Sequence, residues 1–236
     1  MLTIKLFRYG KTLDLMRKIK MVEVIWHGHA CFEIRGKDVT IVADPFTGIG
    51  LPEPVASADI VLCSHSHRDH NNVAPVKKNG GVVLELFVGS QTVNNLSVKG
   101  VASFHDDSMG TVRGKNSIYV FTVDGVTFCH LGDLGHVLSP QQVKEIGKID
   151  VLFVPIGGFF TIGPETAESV YKALGPKIVI PMHYKRAGMS PNFDKLHTLD
   201  DFLAGKVNVK KIDASSMMIT KEALPGETTI IALSLK

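Results

Sequence analysis

No run of about eighteen apolar residues occurs anywhere in the chain, so no transmembrane helix is expected. Cysteine is scarce. Cys31, Cys63 and Cys129 are odd in number, scattered, and show no CxxC spacing. Each lies in an apolar, strand-like stretch, where a free thiol behaves as a small hydrophobe, and this usage fits a reducing cytoplasm. Internal repeats, low-complexity tracts and long linkers are lacking as well. So is a basic body. Residues 1–20 hold six cations against Asp14 alone, a net of +5; the whole-chain +3 less that +5 leaves −2 for the rest. Neither nucleic acid nor a membrane is an expected partner, whereas a small anionic substrate held by a few local cations is compatible. The oligomeric state is left open.

With 236 residues, 44% of them apolar, and no break in composition, one layered α/β domain over 21–236 is expected. Residues 1–20 are basic but lack the uninterrupted apolar core and cleavage site of a secretory signal. They read as a dispensable extension, with an amphipathic surface anchor as the alternative, and Met21 opens the first convincing strand. From there the pattern predicts a meander, Val22–Trp26, Cys31–Ile34 and Val39–Ala43. Further strands are expected at Ile60–Cys63, Val82–Val88, Ser97–Phe104, Ile118–Val123, Val126–Leu131, Val151–Pro155, Ile178–Pro181, Met217–Thr220 and Thr229–Leu233. Helices are fewer. Ser139-Pro140 opens one that Gly147 closes, Gly163-Pro164 opens another running to Leu174, and a short third spans Thr198–Leu203.

What the chain has in abundance is metal-binding chemistry at one point. His65-Ser66-His67-Arg68-Asp69-His70 follows the apolar run Ile60–Cys63. Imidazole and carboxylate together suit zinc, manganese or iron. In extended chain, residues two apart face the same side, so His65 and His67 can grip one ion. Asp69 and His70 come after the chain turns and can face a second ion or the far side of the first. Other polar groups also stand where a strand runs out: Asp44, His105, Asp133 and His183. His105 would complete the first site, and His183 with a bridging Asp133 the second, if these strand ends converge.

The set His65-x-His67-x-Asp69-His70, then His105, Asp133 and His183, resembles the metallo-β-lactamase fold superfamily of metal-dependent hydrolases. Trp26-His27-Gly28-His29-Ala30-Cys31-Phe32 and the Asp44-Pro45 step resemble its lactonase-like branch, which includes ascorbate-6-phosphate lactonase. The resemblance covers Met21 to Lys236. It implies a four-layer αββα sandwich with metals at one edge of the two sheets. His65, His67 and His105 would hold metal one, Asp69, His70 and His183 metal two, and Asp133 would bridge. Asp44 would orient a ligand histidine from behind, and His29 would lie near the pocket. The flavodiiron branch is disfavoured, because it has glutamate where His67 stands. Classical β-lactamases of the commonest class carry cysteine where Asp133 stands. Segments for a nuclease arm or a glutathione-binding helical domain are not found.

The expected cofactors are therefore two divalent ions, zinc first and manganese second. The expected reaction is hydrolysis of a small ester, lactone or phosphate-bearing molecule by a metal-bridged hydroxide, with Asp69 orienting the nucleophile or taking its proton. A phosphodiesterase acting on a nucleotide or lipid headgroup is the first alternative, and a metal-binding module without turnover the second. The weaker signals are these. His136, in Leu131-Gly132-Asp133-Leu134-Gly135-His136, is a candidate to contact substrate or protonate the leaving group. His130 reads as a satisfied core histidine, and His27 and His197 as structural or exposed. Gly157–Gly163 reads as a pocket wall. Of the nearby cations, Lys185 is favoured for an anionic substrate, while Arg113, Lys115 and Arg186 read as solvated charges.

Overall fold

The computed structural model describes residues 20–235. The extension expected at 1–20 lies, save for Lys20, outside the described residues. Two mixed sheets face one another. The first comprises β1 (Met21–Gly28), β2 (Cys31–Arg35), β3 (Thr40–Ala43), β4 (Ala58–Cys63), β5 (Lys77–Glu85) and β13 (Ser216–Thr220), in the order β13-β1-β2-β3-β4-β5. The second comprises β6 (Gly89–Val93), β7 (Leu96–Phe104), β8 (Lys115–Val123), β9 (Val126–His130), β10 (Val151–Pro155), β11 (Ile178–Met182), β12 (Val209–Ile212) and β14 (Thr229–Leu233), in the order β12-β14-β11-β10-β9-β8-β7-β6.

The sequence pattern explains the layers. Along β1 alternate residues are buried, which places Val22, Val24 and Trp26 on the inner face. Every residue of β10 and β11 is buried, as expected for parallel strands covered on both faces. One core cluster takes residues from both sheets, and Phe32 of the first stacks on Phe153 of the second with ring centroids 4.1 Å apart. Ala167, Val170 and Leu174 form the buried stripe of α2 (Pro164–Leu174), which packs on β10. Helix α1 (Pro140–Ile146) lies against β7 and starts in a capping box between Ser139 and Gln142. The short α3 (Leu199–Leu203) starts in another, between Thr198 and Asp201. A smaller cluster, including Val42, Val61, Phe46 and Phe193, covers the outer face of the first sheet with loops. No helix among the described residues is long and apolar enough to cross a membrane.

Strand direction is what positions the site. In the first sheet β1, β3 and β4 point the same way, and in the second β7, β9, β10 and β11 do. The polar groups singled out from the sequence all follow the C-terminal ends of these strands.

Tyr119 fastens the sheets together near that edge. From β8 its buried hydroxyl lies 2.8 Å from the Leu84 carbonyl and 3.0 Å from that of Cys63, both on the first sheet, and it accepts the Phe87 N–H. Removing it takes a partner from the Leu84 carbonyl and the Phe87 N–H, while the Cys63 carbonyl keeps the Leu86 N–H. Tyr119→Phe is expected to lower unfolding free energy by about 1–3 kcal/mol, measured by urea denaturation; a loss below about 0.5 kcal/mol would show that the sheets do not depend on this clamp.

Candidate metal centre

The centre is built around the buried carboxylate of Asp44, just past β3. One oxygen, Oδ1, accepts the Ser64 N–H at 2.7 Å. The other, Oδ2, accepts the Ser64 hydroxyl at 2.7 Å and lies 3.0 Å from Nδ1 of His70. Ser64 Oγ in turn lies 2.9 Å from Nδ1 of His65. A single carboxylate thus fixes the rings of His70 directly and His65 through Ser64, leaving both Nε2 atoms to face inward. Asp44 sits at φ 46°, His29 at 52° and His183 at 52°. Left-handed backbone at non-glycine residues is costly and is kept where the surroundings enforce it. Each of the three turns the chain sharply at a strand end, and the His183 N–H donates to the His29 carbonyl at 3.1 Å, which joins the two sheets at this point.

Asp133 enters from the second sheet. Its N–H donates to Asn116 Oδ1, and Asn116 Nδ2 donates to the Leu131 carbonyl and Ser103 Oγ. The flanking glycines make room. A Cβ on Gly132, at φ 55°, would stand 2.4 Å from Ser64 Cβ, and one on Gly135 would stand 2.4 Å from the His105 carbonyl carbon. So placed, Asp133 Oδ2 lies 3.1 Å from His105 Nε2, 3.2 Å from His183 Nε2, 3.3 Å from His70 Nε2 and 3.9 Å from His65 Nε2. Ligand atoms gather into overlapping groups around it: His65, His67 and His105; His65, His70 and Asp133; and His29, Asp69, His70 and His183.

These residues fit a metal. The Nε2 atoms of His65 and His70, Oδ1 of Asp133 and both ring nitrogens of His29 are buried without a hydrogen-bond partner. Buried polar groups without partners are costly, and a cation supplies what these lack. Protonation states agree. Burial, aided by neighbouring histidines, pushes His29 and His65 down to about 3, so both are neutral at pH 7 with lone pairs free for a metal. Burial opposes charge on His70, yet Asp133 and Asp44 on either side hold its pKa well above the ordinary value. Burial likewise opposes charge on Asp133, but His183, His70 and His105 keep it ionised. The pocket wants positive charge at its centre.

The structure brings together all seven side chains expected to be ligands, with Asp44 behind them. It does not bring in Lys185. That ammonium lies 3.2 Å from Asp194 Oδ1 and 3.1 Å from the Asp194 carbonyl, outside the pocket; a substrate contact is corrected to a surface ion pair. His136 lines a cavity with His105 and Arg113, and only its expected role in protonating the leaving group is corrected. Its Nε2 accepts the Phe104 N–H and its Nδ1 meets the Val137 carbonyl, so both nitrogens are committed to backbone and neither is free to protonate a leaving group. His130 is a satisfied core residue, with Nε2 on the Ala30 carbonyl and Nδ1 accepting the Gly132 N–H. His27 pairs with Glu33, and His197 is half-exposed. Sequence reasoning placed His29 too far out, since its Nε2 lies 3.4 Å from Asp69 Oδ2, among the ligand atoms. It also missed Arg68 and set Arg113 aside as a solvated charge, whereas both line a cavity of about 230 Å³ over His67, Asp69, His105 and Asp133. Arg68 sits inside the hexapeptide; only the fold reveals where Arg113 goes.

Asp44→Asn keeps the shape of the hub and removes its charge. Zinc affinity, measured by competition with a chromophoric chelator, is expected to fall about 10- to 100-fold with the circular dichroism spectrum unchanged. Affinity equal to the parent's would show that Asp44 does not orient the ligand histidines.

Comparison with known proteins agrees with this geometry. The profile of the beta-lactamase superfamily domain matches residues 23–183. A UPF0173 metal-dependent hydrolase of Methanoculleus marisnigri is 35% identical over 185 residues, covering 69% of this chain and 81% of its own. Its counterpart in Geobacillus thermodenitrificans is 32% identical over 196 residues, covering 69% and 85%. Among solved structures, a candidate zinc-dependent hydrolase of the metallo-β-lactamase superfamily from Thermotoga maritima aligns with a TM-score of 0.75 at 39% identity, over 91% of this chain and 100% of that one. A fold of two facing mixed sheets, a His/Asp cluster at their shared edge and these relatives lead to one assignment: the chain belongs to the UPF0173 metal-dependent hydrolases of the metallo-β-lactamase superfamily.

Proposed function

We propose that this hydrolase works with two divalent ions, zinc by preference and manganese next, on a small ester, lactone or phosphate-bearing substrate. His65, His67 and His105 would hold one ion, Asp69, His70 and His183 the other, and Asp133 would stand between them. The observation that carries this reading is the single oxygen, Asp133 Oδ2, within 3.1–3.9 Å of four inward-facing Nε2 atoms drawn from both sheets. An oxygen shared in this way suits a bridging ligand, and the donor set of imidazole and carboxylate suits either metal. Bound divalent ions supply an acidified water and polarise a carbonyl or phosphoryl oxygen.

The chain's own residues do the rest. Asp69 is partly exposed to the cavity. Burial raises its pKa, but His29, whose Nε2 lies 3.4 Å away, and the nearby His70 outweigh burial and hold it well below the usual carboxylate range. It is therefore an anion placed to orient water by accepting a hydrogen bond from it. His29 lies between Asp69 and His183, with ring centroids 4.0 Å apart for the two histidines, and would stand beside the second ion. Ile49, Phe160 and Phe193 give the cavity apolar walls, which exclude bulk water around the reacting group.

The test is a panel of lactones, simple esters and model phosphodiesters offered to zinc- and manganese-loaded protein. Turnover of lactones or esters is expected, with a loss of at least about 100-fold in Asp69→Ala. Activity confined to phosphodiesters would replace the lactonase-like reading with a phosphodiesterase. Silence across the panel at full metal content would leave a metal-binding module.

A further inference from the structure

Two arginines overlook the cavity above the metal ligands, and among the described residues neither has an acidic partner. The carboxylates at the cavity floor, Asp69 and Asp133, are engaged by the histidines around them, so the two permanent cations at the mouth remain open to an anionic group from outside. Arg113 is held in place for such a role. Its guanidinium carbon lies 5.0 Å from the Phe160 ring centroid and 5.7 Å from that of Phe159, and Nη2 donates to the Phe159 carbonyl at 3.2 Å. The loop that carries it is folded around the carboxylate of Asp106, which accepts the N–H groups of Ser108, Gly110, Val112 and Arg113. Asp106 immediately follows His105, so this loop is anchored to the neighbour of an expected metal ligand. Arg68 stands between His67 and Asp69 in sequence, with its guanidinium lying over Gly48, where a Cβ would be only 3.4 Å from Cζ.

We propose that Arg68 and Arg113 form an oxyanion-binding subsite, and that the substrate carries a phosphate or carboxylate group beside the bond that is cut. Each guanidinium presents a planar fork of donors that matches the oxygens of such a group. The cavity of about 230 Å³ has room for such a group and shares Arg113 and Phe160 with a neighbouring cavity of about 470 Å³. Asp106 acts as a positioning residue through Arg113. The inference deepens the proposed hydrolase function and rests on its metal centre.

Binding of inorganic phosphate and of acetate to metal-loaded protein, measured by isothermal titration calorimetry, tests it without requiring turnover. Arg68→Ala and Arg113→Ala are each expected to raise the phosphate Kd about tenfold, and the double variant about 100-fold, at unchanged metal content and melting temperature. Arg113→Lys retains the charge but not the fork and is expected to weaken binding several-fold; it serves in place of an alanine variant that fails to fold. Parallel losses for phosphate and acetate identify a general oxyanion subsite; a loss for phosphate alone narrows the substrate to phosphate-bearing molecules. A double variant that binds both anions within twofold of the parent overturns the proposal. If the hydrolysis panel is silent while the variants still lose phosphate, the hydrolase reading fails and the subsite stands.

Discussion

Buried charge has to be matched by opposite charge or hydrogen bonds, and this constraint governs the open edge where the two sheets meet. Four imidazole Nε2 atoms surround one carboxylate oxygen of Asp133 there. Asp44 lies behind two of those rings and sets which nitrogen each turns inward. Without a metal, His70 can answer the two carboxylates only by holding a proton. A divalent cation satisfies the same groups better, because it can be reached by several lone pairs at once. The left-handed turns at His29, Asp44 and His183 and the two glycines around Asp133 are the backbone conditions for that packing.

The sheets themselves are ordinary in their physics and specific in their directions. Strands that share a direction within each sheet deliver their C-terminal ends to the same edge, and a common apolar core locks the two edges together. The core therefore does more than stabilise. Through Tyr119, one hydroxyl ties β8 to the strand that leads into the hexapeptide and to its neighbour, so the spacing between the two halves of the centre is set by packing a short distance below it. Above the centre the chemistry changes from fixed ligands to a cavity with apolar walls and two arginines.

Much of this was legible in the sequence, for identifiable reasons. The central strands β3, β4, β10 and β11 carry continuous apolar runs, and polar residues at their ends stand out against them. The strands missed outright were both at sheet edges. β6 (Gly-Ser-Gln-Thr-Val) and β12 (Val-Lys-Lys-Ile) went unseen, and β5 begins at Lys77 among polar residues instead of at Val82. An edge strand is solvated and often charged, so apolar runs do not mark it. The side chains that converge at the centre were readable because a local motif carries four of them. Arg113 and the depth of His29 were not, because their positions depend on how a loop folds round Asp106 and on a turn at the end of β1. Lys185 looked well placed from its nearness to His183 in sequence, but Asp194 claims it.

The central claim is that residues from both sheets hold two ions on either side of Asp133. Crystals grown with zinc and measured at the zinc absorption edge test it most directly. The account predicts two anomalous peaks about 3.5–4 Å apart, flanking Asp133 Oδ2, one in contact with His65, His67 and His105 and the other with Asp69, His70 and His183. A single peak, or peaks away from this carboxylate, would contradict it.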